Sequence, residues 1–278
     1  MEFFIVYSSP AGSTKKVARA MNEILWKQGM KTFAADLADP IATATVLRHI
    51  AASEDHCLCI GSPVYACHAV PPVTSFIAEL PAKKNCCAVP FITWGCVTSG
   101  LALYEMAEAL VQKGYHIAGA ASLPAEHSML WQAEHPLGKG RPDEQDIAAA
   151  QAFITKISKN IADQIAGIEP TTLNYQPELL RETMRNLSLD AVREMLPRKT
   201  VDATRCTQCN ICMAACPAAA ITLDPYPTFG PACFLCYRCV RLCPEHAIMA
   251  DFSTMEAGLR QRAAMFQEKA EPRFFFKQ

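Results

Sequence analysis

The sequence predicts an α/β protein in which a doubly wound, five-stranded parallel sheet precedes a small, cysteine-rich α+β domain. Three observations carry this prediction. Short apolar runs alternate with helix-period segments over residues 1–167. Eight of the fourteen cysteines then stand in two consecutive runs. With 278 residues, 51% of them apolar and 19% charged, the chain is long enough for two modest globular domains.

Each predicted strand of the first domain is a short apolar run, and a helical pattern follows it. The strands are predicted over residues 3–7, 31–35, 56–60, 87–93 and 116–122. The helices are predicted over residues 14–28, 43–51, 72–80, 100–113 and 143–166. Gly29 and Gly114 directly follow two of these helices, where a left-handed C-terminal cap favours glycine. Five strand and helix units therefore fit one domain.

The remainder of the chain divides into three segments. Residues 168–200 form a linker that contains Pro170, Pro177 and Pro197 and a single helix predicted over 178–196. Residues 201–251 form the cysteine-rich domain, and residues 252–278 form a C-terminal helix and tail. The tail carries three consecutive phenylalanines, which we expect to pack on one of the two domains because exposed apolar clusters are unusual.

Both cysteine runs have the spacing C-x2-C-x2-C-x3-C-P. Three closely spaced thiolates can hold three corners of an iron–sulfur cube, while the fourth reaches the other cube. The predicted ligand sets therefore cross over between the runs. The first 4Fe-4S cluster is assigned Cys206, Cys209, Cys212 and Cys243, and the second is assigned Cys233, Cys236, Cys239 and Cys216. Each run continues as Cys-Pro-x-x-Ala-Ile at the same offset, which indicates an internal duplication.

Two alternatives explain crowded cysteines without iron. Paired C-x2-C motifs also bind zinc, although zinc sites take four ligands and usually two well separated pairs. A disulfide framework is less favoured, since disulfides are rare in reducing compartments and the sequence shows no secretory signal.

Charge and hydropathy exclude two classes of partner. Lysine plus arginine total 26 against 27 for aspartate plus glutamate, so no net field favours nucleic acid. No apolar run approaches the roughly 20 residues that a membrane helix needs. We therefore expect a cytoplasmic protein with no nucleic-acid partner and no membrane span.

A hydroxyl-rich turn follows the first strand and opens the first helix. Backbone N–H groups at a helix N-terminus form a ready site for phosphate, and hydroxyl groups add donors. The turn lacks the lysine that G-x-x-x-x-G-K-S/T nucleotide loops require. A plain helix cap remains the alternative. The candidate phosphate-binding residues are Ser9, Ala11, Gly12, Ser13 and Thr14.

Two more candidate loops follow the third and fourth strands, at the carboxyl edge where open parallel sheets bind ligands. The two loops resemble those with which a flavodoxin holds its flavin ring, and this resemblance implies that Tyr65 and Trp94 flank the ring, although either one alone could be ordinary core packing. One phosphate loop and no adenine-binding half favour FMN over FAD. These loops contribute the candidates Ser62, Pro63, Val64 and Tyr65, and then Thr93, Trp94, Gly95, Cys96 and Gly100.

The phosphate turn resembles the flavodoxin loop T-x-T-G-x-T, with Ser9, Ala11, Gly12 and Thr14 at the matching places. Ala11 departs from it by offering only a backbone N–H. Nearly the whole chain resembles a fusion family of anaerobes, in which a flavodoxin-like domain precedes a two-cluster ferredoxin module. The resemblance implies a flavodoxin-like five-stranded sheet and electron transfer through FMN and two 4Fe-4S clusters.

Two histidines near the expected flavin rim, His68 and His127, are candidate proton donors, although such histidines often simply cap loops. Cys67 and Cys96 lie in the same loops, where a reactive thiol would need a lowered pKa and exposure.

The leading hypothesis is an electron-transfer flavoprotein that converts between one- and two-electron chemistry. Its expected partner is an external low-potential redox protein or a small-molecule electron acceptor, and a homodimer that exchanges electrons between protomers is left open. The alternatives are a flavin-dependent reductase of a small substrate bound at the FMN face and fed by the clusters, and a redox sensor whose tail docks a partner.

Overall fold

A computed structural model describes residues 1–277 of the chain. The first domain is built from seven strands and five helices. The strands are β1 (Glu2–Tyr7), β2 (Lys31–Asp36), β3 (His56–Tyr65), β4 (His68–Ala69), β5 (Cys87–Trp94), β6 (His116–Ile117) and β7 (Ala120–Pro124). The helices are α1 (Ser13–Lys27), α2 (Pro40–Ala52), α3 (Pro71–Glu79), α4 (Ala102–Gln112) and α5 (Glu144–Ala162). No helix in residues 1–277 is both long and apolar enough to cross a membrane.

The five long strands pair in the order β2-β1-β3-β5-β7, all parallel, which confirms the predicted doubly wound sheet. Alternate residues of each strand serve opposite faces. Phe3 and Ile5 pack with the core under α1 and α5, whereas Phe4 and Val6 pack with the core under α2, α3 and α4. Both faces are buried, as the continuous apolar runs require.

The third strand is longer than the sequence indicates, because residues 61–65 continue it. The loop that the sequence predicts after this strand is in the structure a hairpin, in which Tyr65 pairs with His68 of β4. Its two turn residues, Ala66 and Cys67, have φ values of 46° and 71°, as a two-residue hairpin of the primed type needs. The fifth predicted strand, over residues 116–122, is divided at Gly119 into β6 and β7.

The C-terminal segment is part of the first domain's sheet. Strand β12 (Arg273–Phe275) adds to the edge strand β7 in antiparallel register, which the pattern of five parallel strands does not predict. Phe274 stacks on Phe153 of α5 with ring centroids 5.1 Å apart, and Phe275 stacks on Tyr175 at 5.3 Å. β12 thereby becomes the edge strand of the sheet, and the three phenylalanines are half-buried against the first domain.

The linker does not contain the single helix predicted over residues 178–196. It has α6 (Glu178–Asn186), α7 (Leu189–Val192) and two 3-10 turns, Pro170–Leu173 and Arg193–Met195. The break falls at Ser188, whose hydroxyl accepts the Ala191 N–H at 3.0 Å and caps α7. The helical prediction was wrong here because the serine cap competes with continuing the helix.

The cysteine-rich domain repeats one small unit. It comprises β8 (Thr200–Val201), α8 (Ile211–Ala214), β9 (Ile221–Leu223), β10 (Pro227–Phe229), α9 (Arg238–Leu242) and β11 (Ile248–Met249), and α10 (Met255–Phe266) follows. Its left-handed backbone residues recur at one interval: Gln208 with Leu235, Asn210 with Tyr237, and Ala219 with His246. The duplication seen in the sequence therefore extends to the backbone conformation of the cysteine loops.

The two domains share an apolar core. Phe234, 3% exposed, and Cys236, 8% exposed, belong to the same buried cluster as Phe76 of α3. Leu189 of the linker and Ala218 of the cysteine-rich domain pack against it. The second cysteine loop is thus fixed against the first domain by burial.

Candidate functional site

Two adjoining cavities open at the carboxyl ends of the parallel strands. The smaller lies against the turn after β1 and the ends of β3, β5 and β7. The larger extends from the β3–β4 hairpin and the loop after β5 to the linker and α10. Tyr65 and His127 are among the residues that line both. This edge holds the topological switch point at which open α/β sheets bind ligands.

The turn between β1 and α1 is shaped by Gly12, whose φ of 99° favours glycine. Ser9 Oγ accepts the Lys15 N–H at 2.9 Å, and Thr14 Oγ1 lies 2.8 Å from Thr93 Oγ1 of β5. These bonds fix the turn and leave the first N–H groups of α1 directed to its open end. The arrangement suits an anion.

The β3–β4 hairpin and the loop after β5 are held together at Gly100, whose φ is 61°. The next residue, Leu101, donates its N–H to Cys67 O at 2.7 Å. A side chain at Gly100 would meet Cys67 O at 2.2 Å. Gly95 similarly admits the His127 ring, because a Cβ there would lie 2.5 Å from His127 Cδ2. Both glycines are needed for close approach.

The structure brings most of the predicted loop residues to this edge. Four of them line neither cavity: Ser62, Cys96 and Gly100, and also Gly12, which lines only the adjoining opening. Ser62 is fully buried, and its hydroxyl donates to Pro63 O at 2.7 Å and accepts the Val70 N–H at 3.0 Å. Cys96 Sγ faces Ala125 O at 3.5 Å. The residues that do line the cavities or the adjoining opening are Ser9, Ala11, Gly12, Ser13, Thr14, Pro63, Val64, Tyr65, Thr93, Trp94 and Gly95.

The two aromatic candidates lie in different places. Trp94 is 2% exposed and lines only the smaller cavity. Its Nε1–H has no hydrogen-bond partner among residues 1–277, so a buried donor there is left for a ligand. Tyr65 lines both cavities, and burial raises its pKa to about 12. The phenol therefore remains protonated at neutral pH.

His127 lies between the two cavities. Burial lowers its pKa from 6.5 to about 4, so the ring is neutral at pH 7. Its Nδ1 accepts the Met129 N–H at 3.3 Å, which places the remaining proton on Nε2. At neutral pH the ring can therefore donate a hydrogen bond, but it is not a cationic acid.

We expect His127 to make the protein less stable in mild acid. An unfolded chain takes up a proton on this residue below pH 6.5, whereas the folded chain does not until about pH 4. The loss of stability from pH 7 to pH 5 is roughly 2 kcal/mol. His127→Gln should reduce the drop in apparent Tm between these pH values, measured anaerobically at one scan rate. Exposed His135→Gln is the control, and an unchanged drop in His127→Gln would contradict the assignment.

His68 is tied into the scaffold outside both cavities. Its Nδ1 lies 2.9 Å from a Glu105 carboxylate oxygen, and Nε2–H donates to Met184 O at 3.1 Å. The hydrogen bond to Glu105 raises the pKa of His68. With both ring nitrogens engaged, His68 connects β4, α4 and the linker helix α6, and it is not positioned to exchange protons with a group in either cavity.

The two loop thiols are protonated at neutral pH. Burial raises the pKa of Cys67 to about 12 and that of Cys96 to about 11. Neither has the lowered pKa that a nucleophilic thiolate requires. They fill space in the loops, as small buried residues do.

Sequence reasoning missed most of the far wall of the larger cavity. This wall comes from the linker, the second cysteine loop and α10, and no local motif marks it. It consists of Leu187, Leu189, Val192, Leu196, Leu235, Leu259, Arg262 and Phe266. The segment after β7 supplies Glu126, Ser128 and Met129 in addition to the predicted His127.

The eight cysteines of the runs form two groups in space. Cys206, Cys209, Cys212 and Cys243 line one cavity of about 330 Å³. In the other group, Cys236 lies near Cys233 and Cys216, and Cys239 lies near Cys236 and Cys233. The fourth cysteine of each run is therefore beside the three cysteines of the other run.

The surroundings of the two groups are also duplicated. Ala220 N–H donates to Cys216 Sγ at 3.3 Å, and Ala247 N–H donates to Cys243 Sγ at 3.2 Å. Lys199 Nζ lies 3.2 Å from Cys233 Sγ. Such donors stabilise thiolate ligands of a metal centre. Among residues 1–277 the structure shows no group of three Cys, His, Asp or Glu side chains placed to hold a single metal ion.

Comparison with known proteins gives one family match. Residues 205–248 match the 4Fe-4S dicluster domain. A search of curated proteins finds no match. Among solved structures, a flavodoxin from the domain Archaea aligns at 18% identity over 58% of this chain and 99% of its own, with a TM-score of 0.44. Rubredoxin oxygen:oxidoreductase from the anaerobe Desulfovibrio gigas aligns at 18% identity over 59% of this chain and 37% of its own, with a TM-score of 0.47.

The fold assignment rests on this chain's own strand order. Counted along the chain, the five long parallel strands lie in the order 2-1-3-4-5, which is the order of flavodoxin-like domains. The first domain is therefore flavodoxin-like. With the 4Fe-4S match that follows it, the chain is a fusion of a flavodoxin-like domain and a 4Fe-4S dicluster domain, the architecture of an electron-transfer protein.

Proposed function

We propose that the chain is an electron-transfer protein that holds FMN and two 4Fe-4S clusters. The turn at Ser9–Thr14 would hold the phosphate, and the two adjoining cavities would hold the ribityl chain and the ring. The unpartnered Trp94 Nε1–H and the glycine-shaped turn fit such a ligand. Bound FMN supplies both one-electron and two-electron chemistry. Cys206, Cys209, Cys212 and Cys243 would ligate one cluster, and Cys233, Cys236, Cys239 and Cys216 the other.

The wall shared by the larger cavity and the second cysteine loop carries this proposal. Leu235 lines the cavity, and the next residue, Cys236, belongs to the second cysteine group. Tyr65 packs against Phe234 with ring centroids 6.1 Å apart. A flavin and a cluster in these places would be separated by single side chains within one chain, so no dimer is required for electron exchange between them.

The first cysteine group has the one exposed cysteine of the two groups, Cys209. Its Cys212 is 8% exposed, like Cys236 and Cys239 of the second group. Ile211 and Met213 beside Cys209 are 42% and 41% exposed. This end of the molecule is suited to an external redox protein or a small-molecule electron acceptor.

Anaerobic purification followed by stepwise dithionite reduction tests the proposal. We expect one FMN and about eight iron atoms per chain, with flavin absorbance and cluster paramagnetic signals changing together. At high dilution, electrons should redistribute between the centres at a rate independent of protein concentration. Protein without flavin, or a rate proportional to concentration, would contradict the proposal.

Two cysteine variants provide a matched pair for the same experiment. Cys239→Ser removes a ligand of the group that shares the cavity wall, and Cys209→Ser removes a ligand of the outer group. We expect Cys239→Ser to abolish rapid redistribution between flavin and iron, and Cys209→Ser to retain it. The reverse result would place the outer group beside the flavin.

The lining of the larger cavity favours a second candidate function, the reduction of a small molecule. It is mostly apolar with a few polar groups, as ligand sites are. Arg262 and neutral His127 are among the polar groups of this lining. A substrate that binds there should perturb the flavin absorbance spectrum, whereas a pure electron carrier should show no small-molecule perturbation.

A further inference from the structure

We propose that two arginines of the 4Fe-4S domain, Arg238 and Arg241, complete the phosphate subsite of the flavodoxin-like domain. The ligand class is a phosphate monoester, as in FMN, and riboflavin would lack the recognised group. This inference rests on the proposed function and adds to it a binding contribution from the second domain. Nothing in the β1–α1 turn itself supplies an arginine.

Both arginines lie on the helix α9 and reach the turn that opens α1. Arg238 Nη1 donates to Ser9 O at 3.5 Å. Arg241 lines the same opening as Ala11, Gly12 and Ser13. The two guanidinium groups therefore approach the open end of α1 from the opposite domain, where flavodoxin-like turns alone offer N–H and O–H donors.

Arg241 is held in place by its neighbours. Its guanidinium lies 4.9 Å from the Trp131 ring centroid, and Nη2 donates to Cys236 O at 3.4 Å. Stacking and a single carbonyl contact leave further guanidinium donors free for bidentate contact with phosphate.

The charge balance around the opening favours an anion. Neither Arg238 nor Arg241 forms an ion pair with a carboxylate in the part of the chain that the structure describes. Lys16 Nζ reaches Pro142 O at 2.5 Å and lines the same opening. This lining holds Lys16 and Arg241 beside one carboxylate, Glu126, and Arg238 approaches the same turn at Ser9.

The other charges near the turn are already paired. Arg141 is bound to the buried Asp146. Lys15 lies 4.0 Å from Asp36, the carboxylate beside the first helix. Because partly buried cations without a counter-ion are costly, the excess positive charge at the opening predicts a bound dianion.

The position of the arginines couples phosphate binding to the second cysteine group. Arg238 and Arg241 flank Cys239, and Cys236 lies just before them. Cluster assembly on these cysteines would fix α9 and therefore the two guanidinium groups. Phosphate recognition would then depend on the assembled second domain, although the turn belongs to the first.

Arg238→Gln and Arg241→Gln test this in the full-length, cluster-loaded chain. After removal of native flavin, the dissociation constants of FMN and riboflavin are measured by fluorescence titration. Each substitution should weaken FMN binding about tenfold or more, while riboflavin binding changes less than about twofold. Arg238→Lys, which keeps the charge, should recover part of the loss and shows that the site rather than folding is affected.

Arg205→Gln is the matched control, because Arg205 precedes Cys206 as Arg238 precedes Cys239. It should leave both dissociation constants unchanged. Iron content and cluster absorbance must equal those of the wild type in every variant compared. An unchanged ratio of FMN to riboflavin affinity in both glutamine variants would overturn the inference. A wild type that binds neither flavin would instead overturn the proposed function.

Discussion

Cys243→Ser is expected to remove the same iron–sulfur cluster as Cys206→Ser. The four cysteines around the first group line one cavity although Cys243 belongs to the second run. Each single substitution should remove about half of the iron, and the double substitution should remove no more than either alone, because both ligands serve one cluster. The measurement is iron content together with the paramagnetic spectrum of the reduced protein.

An uncrossed assignment gives a different result in the same experiment. If each run held its own cluster, Cys206→Ser and Cys243→Ser would damage different centres, and the double variant would lose nearly all iron. Cys57→Ser is the control, because Cys57 is fully buried in the core under α1 and α5 and belongs to neither group. It should retain the full iron content.

Glu268→Ala is expected to release the C-terminal segment from the flavodoxin-like domain. The Glu268 side chain is 5% exposed, and its carboxylate accepts from Thr98 Oγ1 at 2.9 Å, Ser99 N–H at 2.8 Å and Ser99 Oγ at 2.5 Å. Gln176 of the linker donates to it at 3.0 Å. Loss of this acceptor leaves several buried donors unsatisfied and should lower the free energy of unfolding by about 3 kcal/mol.

Limited proteolysis and apparent Tm under anaerobic conditions measure this effect. Cleavage within residues 254–277 should become faster in Glu268→Ala. Thr98 also lines the larger cavity, so flavin affinity should fall with the loss of the segment. Exposed Glu271→Ala is the matched control. Equal protease sensitivity in the two variants would show that the carboxylate does not hold the segment.

The sequence predicted the sheet well because its strands are buried on both faces. Phe3 to Val6 form one continuous apolar run, and the helices between the strands carry a clear helical period. It predicted the linker poorly. Residues 178–196 have a helical pattern, but the chain leaves the helix before Ser188, which caps the next helix. The sequence does not reveal whether a serine hydroxyl will cap a new helix or point to solvent from within a continuous one.

The candidate site likewise has parts that the sequence predicted and parts that it did not. The turn at Ser9–Thr14 could be found from sequence because all its donors are local. The hairpin at Tyr65 was read as a loop, since its pairing with His68 depends on two left-handed residues that are not glycine. Arg238 and Arg241 were not identified, because their approach to Ser9 joins positions more than two hundred residues apart.

By itself the sequence determined the two cysteine runs, their duplication and the alternation of strands and helices in the first domain, because ligand spacing and hydrophobic period are local properties of the chain. Only the tertiary structure decided what faces the cavities. Leu235 and the linker line the larger cavity, and α9 places Arg241 beside the first turn of α1. Glu268 binds the C-terminal segment to Ser99 in the loop after β5. These contacts follow from how two cores pack against each other, and packing depends on shape and burial over the whole molecule.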